Sequence, residues 1–161
     1  MENFIQLNKS DVLTLKIKTN DGIETGEKIV IDLEDIELPL IYQEMIEKLK
    51  KNKEYLRNQI LIISKRQDVK GKKLLSKNEE DKIKALNDFF HKQTETYNMF
   101  LGENGVEKIL NGRKIGWTTF NEIDNIIEKQ ITPYLDISKD KITKKIKDIY
   151  GVKKEENEVL E

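Results

Sequence analysis

His91 is the single histidine of the chain and so the first side chain to weigh for acid–base or metal chemistry. It follows Asp88, Phe89 and Phe90. A catalytic imidazole needs a nucleophile, a second base or a metal as partner. The chain has no cysteine and no other histidine. His91 therefore reads as a helix-surface residue. Carboxylates cluster at Glu34-Asp35, Glu79-Glu80-Asp81 and Glu155-Glu156. Hydrolytic or metal work needs carboxylates that converge in one pocket. These stand at expected helix starts or near the C-terminus, where they complement helix dipoles or keep the chain solvated.

Glycine and lysine give two further candidates. Gly71-Lys72-Lys73 lacks the upstream glycine and the preceding strand of a phosphate loop. Gly102–Gly105 (GENG) and Asn111–Gly116 (NGRKIG) lack the spacing of a dinucleotide fingerprint and read as corners. Lysine-rich patches lie at 48–53, 65–73 and 139–147. Nucleic-acid binding would interleave such patches with aromatics. Here acidic residues are interspersed instead, as on a solvated helix face. Trp117, the single tryptophan, follows a Gly corner, with Tyr134 downstream. It reads first as a core residue and second as an exposed anchor for a partner.

The elements that must position these residues follow from periodicity. At 161 residues the chain has the length of one domain with a real core. Charged and hydrophobic residues each make up 37%, which predicts long solvated helices around a modest core. The net charge of −1 favours no global attraction to nucleic acid or acidic lipid. No run approaches the roughly 18 apolar residues of a membrane span, and the N-terminus lacks a signal-peptide pattern. The chain is expected to be soluble and cytoplasmic.

Residues 12–19 set Val12, Leu13, Leu15 and Ile17 against Thr14, Lys16 and Lys18, a half-buried strand. A turn at Asn20-Asp21-Gly22 leads to a second strand over 28–33. Phe4, Ile5 and Leu7 could supply a third. Asp35 is expected to cap a long amphipathic helix from about 36 to 66, with Pro39 in its first turn and a kink near 50–53. The segment 67–75 reads as a mobile loop. Ser76 with Glu79 forms a capping box for a helix that runs to about 101 and stops at Gly102. A short apolar piece (Val106, Ile109, Leu110) ends at Asn111-Gly112. Thr119 with Glu122 reads as another capping box, and that helix runs to Pro133. Ser138 caps a last helix with Ile142, Ile146, Ile149 and Tyr150 on one face, ended by Gly151. The fold class is mainly α with a small N-terminal β-hairpin (α+β), a bundle of about four to five helices. Residues 1–34 are the hairpin, 35–150 the helical domain and 151–161 a charged flexible tail, in a single compact domain.

The stretch from Phe100 onward resembles the tail assembly chaperones of phages and prophages of Gram-positive bacteria. Those proteins carry a helix ending in Phe/Leu-Gly-Glu-Gly, an apolar Gly-Arg corner, a helix, and a C-terminal helix ending near a Tyr. The corresponding residues are Phe100-Leu101-Gly102-Glu103-Asn104-Gly105, Ile109-Leu110-Asn111-Gly112-Arg113, Phe120 to Ile131, and Lys139 to Tyr150. The likeness covers about residues 83–150. It implies a non-enzymatic role with no cofactor and no metal. Such chaperones hold the long hydrophobic tape-measure protein soluble while tail-tube subunits assemble around it. The implied partners are the tape-measure protein and the tail-tube protein, with self-association left open and neither membrane nor nucleic acid involved. Phe100, Leu101, Ile109, Leu110, Trp117 and Phe120 are the expected partner-binding residues. The alternatives are a structural component of a phage-like tail and, third, a basic-patch nucleic-acid binder.

Overall fold

The computed structural model describes residues 1–5 and 11–159. The elements run β1 (Val12–Lys18), β2 (Glu24–Asp32), α1 (Leu38–Ser64), α2 (Lys77–Leu101), α3 (Gly105–Leu110), α4 (Thr119–Ile126), a π-helical turn (Ile127–Ile131) and α5 (Thr132–Val159). The fold is mainly helical with an N-terminal antiparallel hairpin, the α+β class expected from the sequence. The chain divides into two compact units. One combines Met1–Pro39 with Gly116–Glu161, and the other is Leu40–Ile115. The hairpin thus groups with the C-terminal segment.

In the first unit, β1 pairs with β2 in a register that sets Leu13 opposite Ile31 and Leu15 opposite Ile29. Side chains alternate between faces of a strand. Ile17, Ile29 and Ile31 are buried, with Leu13 and Leu15 half-buried beside them, while Thr14, Lys16 and Lys18 face water. Val12 was expected with the apolar set. The two-residue period puts it with Thr14, and it is exposed. The second strand starts at Glu24, earlier than the sequence suggested. An irregularity between Lys16 and Lys18 absorbs the extra length. The turn closes through the Gly22 amide, which donates to the Thr19 carbonyl at 2.9 Å, and Gly22 takes φ +80°. Phe4 and Ile5 form no strand and are exposed. Leu7 lies outside the described residues.

The C-terminal half of this unit departs most from expectation. Helix was expected to end at Pro133 and restart at Ser138. Instead the chain stays helical from Thr119 to Val159. Proline lacks an amide donor, and its ring crowds the carbonyl four residues back. The π turn accommodates this by widening the helix just ahead of it. The Thr132 amide and hydroxyl both donate to the Ile127 carbonyl, the hydroxyl at 3.1 Å. The widening also aligns the core face. Ile123, Ile127, Ile131 and Leu135 are all buried at four-residue steps. Such steps overshoot a 3.6-residue turn, and a π turn takes up the surplus. Ser138 is not a cap. It lies inside α5, buried, and its hydroxyl donates to the Leu33 carbonyl at 2.8 Å, tying α5 to the end of β2. Gly151 does not end the helix either. It lies within α5 without a positive φ, where glycine only lowers helix propensity. Thr119 likewise makes no capping box. Its hydroxyl accepts from the Gly116 amide at 2.8 Å, and Thr118 holds the N-cap position.

In the second unit, α1 and α2 run antiparallel. Tyr42 meets Phe100 edge-on at 5.5 Å, and at the other end Arg66 pairs with Asp81 at 2.7 Å. Met45, Leu49 and Ile63 from α1 are buried, as are Tyr97, Phe100 and Leu101 from α2 and Val106 and Leu110 from α3. α1 runs unbroken through 50–53 because Asn52 has partners on α2. Its amide donates to Gln93 Oε1 at 2.7 Å and to Thr96 Oγ1 at 3.1 Å. Gln93 is 1% exposed and Thr96 is buried. Asp35 caps less directly than expected. Its carboxylate accepts from the Glu37 amide at 2.9 Å, just before α1 begins.

The expected capping box at Ser76 and Glu79 is present on α2. The connector before it is held at its two ends. Asp68 Oδ1 accepts from the Val69 and Asn78 amides, and the Asn78 side chain donates to the Arg66 carbonyl. At the other end of α2, Gly102 adopts φ +97° as its C-cap. Asn98 then sets the corner. Its Oδ1 accepts from the Val106 amide at 2.8 Å and its Nδ2 donates to Glu107 at 3.0 Å.

Replacing Asn52 with Ala leaves the Gln93 oxygen buried without this donor. An unsatisfied buried acceptor costs about 1–3 kcal/mol. Urea denaturation followed by far-UV circular dichroism should show a destabilisation of that order for Asn52→Ala. Lys51→Ala, on the exposed side of the same helix turn, should stay within about 0.5 kcal/mol of the parent.

Candidate functional site

The carboxylates and the histidine take structural places. Glu79 serves the capping box, and Glu80 pairs with Lys84 at 3.2 Å. Asp81 accepts from Arg66 and lies 3.3 Å from Lys77. These roles lower their pKa values. The Asn78 amide and Ser76 hydroxyl hold the Asp68 carboxyl below its ordinary value, and the Ser76 amide and hydroxyl do the same for Glu79. For Asp81 the main cause is the Arg66 hydrogen bond. His91 is exposed on α2, at the edge of a shallow recess of about 380 Å³ within the second unit. Lys92 lies over the Tyr55 ring there, 3.9 Å from its centroid. Among the described residues no three His, Asp or Glu side chains group to hold a metal.

The six expected partner-binding residues divide by burial. Phe100, Leu101 and Leu110 are core residues of the second unit, brought together where α3 folds back on α2. In that packing they present no surface to a partner. Ile109 is half-buried. The apolar helix end and the short apolar segment are the two sides of one corner, so burial is their reward for proximity. In the first unit Phe120 is half-buried and Trp117 is 84% exposed. Core burial was the first reading of Trp117. The indole instead stands on the two-residue step between Gly116 and the N-cap Thr118, with its ring in solvent.

The larger feature was missed by sequence reasoning. Within the first unit an open groove of about 960 Å³ runs between α5 and the base of the hairpin. Its apolar lining includes Val12, Ile36, Tyr134, Ile137, Ile146 and Ile149. Each of these is substantially exposed, Ile149 at 80% and Ile36 at 73%. The isoleucines of α5 do share a face, as their spacing indicated. Burial along that face stops at Ser138, beyond which Ile142 is half-buried and Ile146, Ile149 and Tyr150 are exposed. Lys141 and Lys145 rise from the α5 wall, and Asp11 and Glu34 from the opposite wall. The signal available in the sequence was Ser138 itself, a polar residue where the stripe changes from covered to open.

No protein family, no curated protein and no solved structure matches the chain. Among the described residues no helix is long and apolar enough to cross a membrane.

Two outcomes follow. Asp68, Glu79 and Asp81 have folded-state pKa values below their unfolded ones, so the unfolded chain binds protons first. Their contribution is present above the ordinary values of 3.8 and 4.5 and is lost as pH falls through the lower folded values. The protection factors of the Asn78 and Glu79 amides, taken relative to the intrinsic exchange rate at each pH, should therefore fall on acidification below about pH 4, and Asp68→Asn should flatten that response. For Trp117, an exposed indole requires full access to acrylamide in the free protein. Trp117→Ala should change the unfolding free energy by less than about 0.5 kcal/mol; a loss of several kcal/mol would place the ring in the core.

Proposed function

We propose that the protein is a tail assembly chaperone of a phage or prophage, which binds the tape-measure protein in the host cytoplasm and helps recruit tail-tube subunits. The observation that carries the reading is the uncovered apolar groove along α5. A chain with 37% charged residues has ample means to cover itself with polar side chains, yet it keeps four turns of isoleucine and tyrosine in water. Contiguous exposed apolar surface of this kind marks a binding site. A groove beside a long helix suits an amphipathic helix as guest. The tape measure is a long, hydrophobic, helical protein that must stay soluble before the tube encloses it. Many weak contacts of this type along one filament would add by avidity. The likeness at 83–150 supports the same role. Trp117 adds an aromatic anchor of the kind that dominates interface energetics.

A second reading, a structural subunit retained in the tail, rests on the hairpin. Among the described residues β1 and β2 pair only with each other, so each keeps an open edge for strand addition.

Co-expression with the tape-measure protein should bring that otherwise insoluble chain into the soluble fraction, and the two should co-purify. Trp117→Ala should weaken the capture by about 2 kcal/mol, the scale of a hot spot. An insoluble tape measure, together with this protein present in purified particles, would replace the chaperone by the structural subunit.

A further inference from the structure

The groove of the first unit has a chemistry more specific than apolarity. Its two walls carry opposite charge. Lys141 and Lys145 stand one helical turn apart on α5, and both are exposed. Asp11 and Glu34 stand on the hairpin side, also exposed. Among the described residues no ion pair joins either lysine to either carboxylate. The apolar lining between them is isoleucine, leucine, valine and tyrosine. From Tyr134 to Ile149 the α5 wall is about 22 Å long at 1.5 Å per residue.

We infer that this groove seats an amphipathic helix of a partner protein about four turns long, with acidic residues on the flank facing α5 and basic residues on the flank facing the hairpin. The inference rests on the reading of the groove as a partner-binding site and adds the partner's charge pattern to it. The apolar floor supplies affinity, and the opposed rims fix which way the guest helix is rotated. A neutral apolar guest would leave four charged groups unanswered. A uniformly acidic guest would meet Asp11 and Glu34 with like charge. A second copy docked through α5 fits poorly for the same reason. A two-fold pairing centred on Thr143 brings Lys141 and Lys145 of one chain against the same lysines of the other. An anionic lipid surface would suit the lysines but would press against Asp11 and Glu34.

The test uses the full chain and a fluorescein-labelled synthetic helix of about four turns. The probe has leucine on one face, glutamate on one flank and lysine on the other. Anisotropy should show saturable binding. Ile146→Asp should weaken it at least tenfold, while Val30→Asp, on the outer face of β2, should leave it unchanged. Both positions are exposed, at 58% and 47%, so both variants should keep the parent's circular dichroism and melting temperature. Lys141→Glu combined with Lys145→Glu should weaken the same probe by about tenfold, and a probe with lysine on both flanks should recover the loss.

Equal affinity for a probe with scrambled flanks would overturn the charge pattern. Indifference to Ile146→Asp would overturn the groove. Sedimentation showing a dimer that Ile146→Asp dissolves would make a second copy the occupant. Capture by phosphatidylglycerol vesicles without probe binding would make it a lipid surface. The outcome is separable from the tail reading. Probe binding without capture of the tape measure would remove only the proposed function. Capture unaffected by Ile146→Asp, with no probe binding, would remove only the groove.

Discussion

Pro133 is the constraint around which the first unit is arranged. It cannot donate a backbone hydrogen bond, and the residue before a proline prefers extended angles. Thr132 nevertheless holds helical angles, φ −53° and ψ −41°. The π turn makes this possible by routing two donors of Thr132 to Ile127 and opening space ahead of the ring. The stabilisation comes from burial. Ile123, Ile127, Ile131 and Leu135 are each nearly sealed from water, and fully burying such a side chain is worth about 1.5–3 kcal/mol. That sum exceeds the roughly 3 kcal/mol cost of a proline in a helix interior. The α5 wall of the groove lies on the far side of the π turn, from Tyr134 to Ile149.

The second unit solves a different problem with polar groups. The pairing of α1 with α2 has apolar contacts at the end where Tyr42 meets Phe100, and an ion pair at the other end between Arg66 and Asp81. Between them sits the Asn52, Gln93 and Thr96 cluster. A buried amide must find its partner, so sliding one helix along the other would strand Gln93. Apolar ridges alone tolerate such slips better. Asn98 plays a comparable part at the corner, where one side chain fixes both the amide of Val106 and the carboxylate of Glu107.

Much of this was legible in the sequence. Periodicity gave the hairpin, the long helices and the stop at Gly102, and the Ser76 box was read correctly from four residues. Several of the differences are of one kind. Pro133, Ser138, Gly151 and the Thr119–Glu122 pair were all read as punctuation, by local rules that tertiary contacts override. Ser138 spends its hydroxyl on Leu33, far away in sequence. Thr119 spends its hydroxyl on Gly116. The candidate site was harder. Phe100, Leu101 and Leu110 are large apolar residues at glycine corners, and the same features let α3 fold back and bury them. Trp117 reads first as core and second as an exposed anchor, and the exposed position is the one it holds.

A helical stripe reports which residues share a face, not whether anything lies on that face. Ile131 and Ile149 are written in the same code, and one is 0% exposed while the other is 80%. The hairpin end meets α5 at Ser138, whose hydroxyl donates to the Leu33 carbonyl, and burial along the stripe falls away beyond it. Past that point each isoleucine pays a hydration cost that a glutamate or lysine would avoid, and surface positions free of packing are the ones where helix formers substitute most readily. Five lysines between 139 and 147 show that this helix is otherwise built for water. The apolar line of α5 therefore lies exposed within a polar segment, between a wall that carries Lys141 and Lys145 and one that carries Asp11 and Glu34.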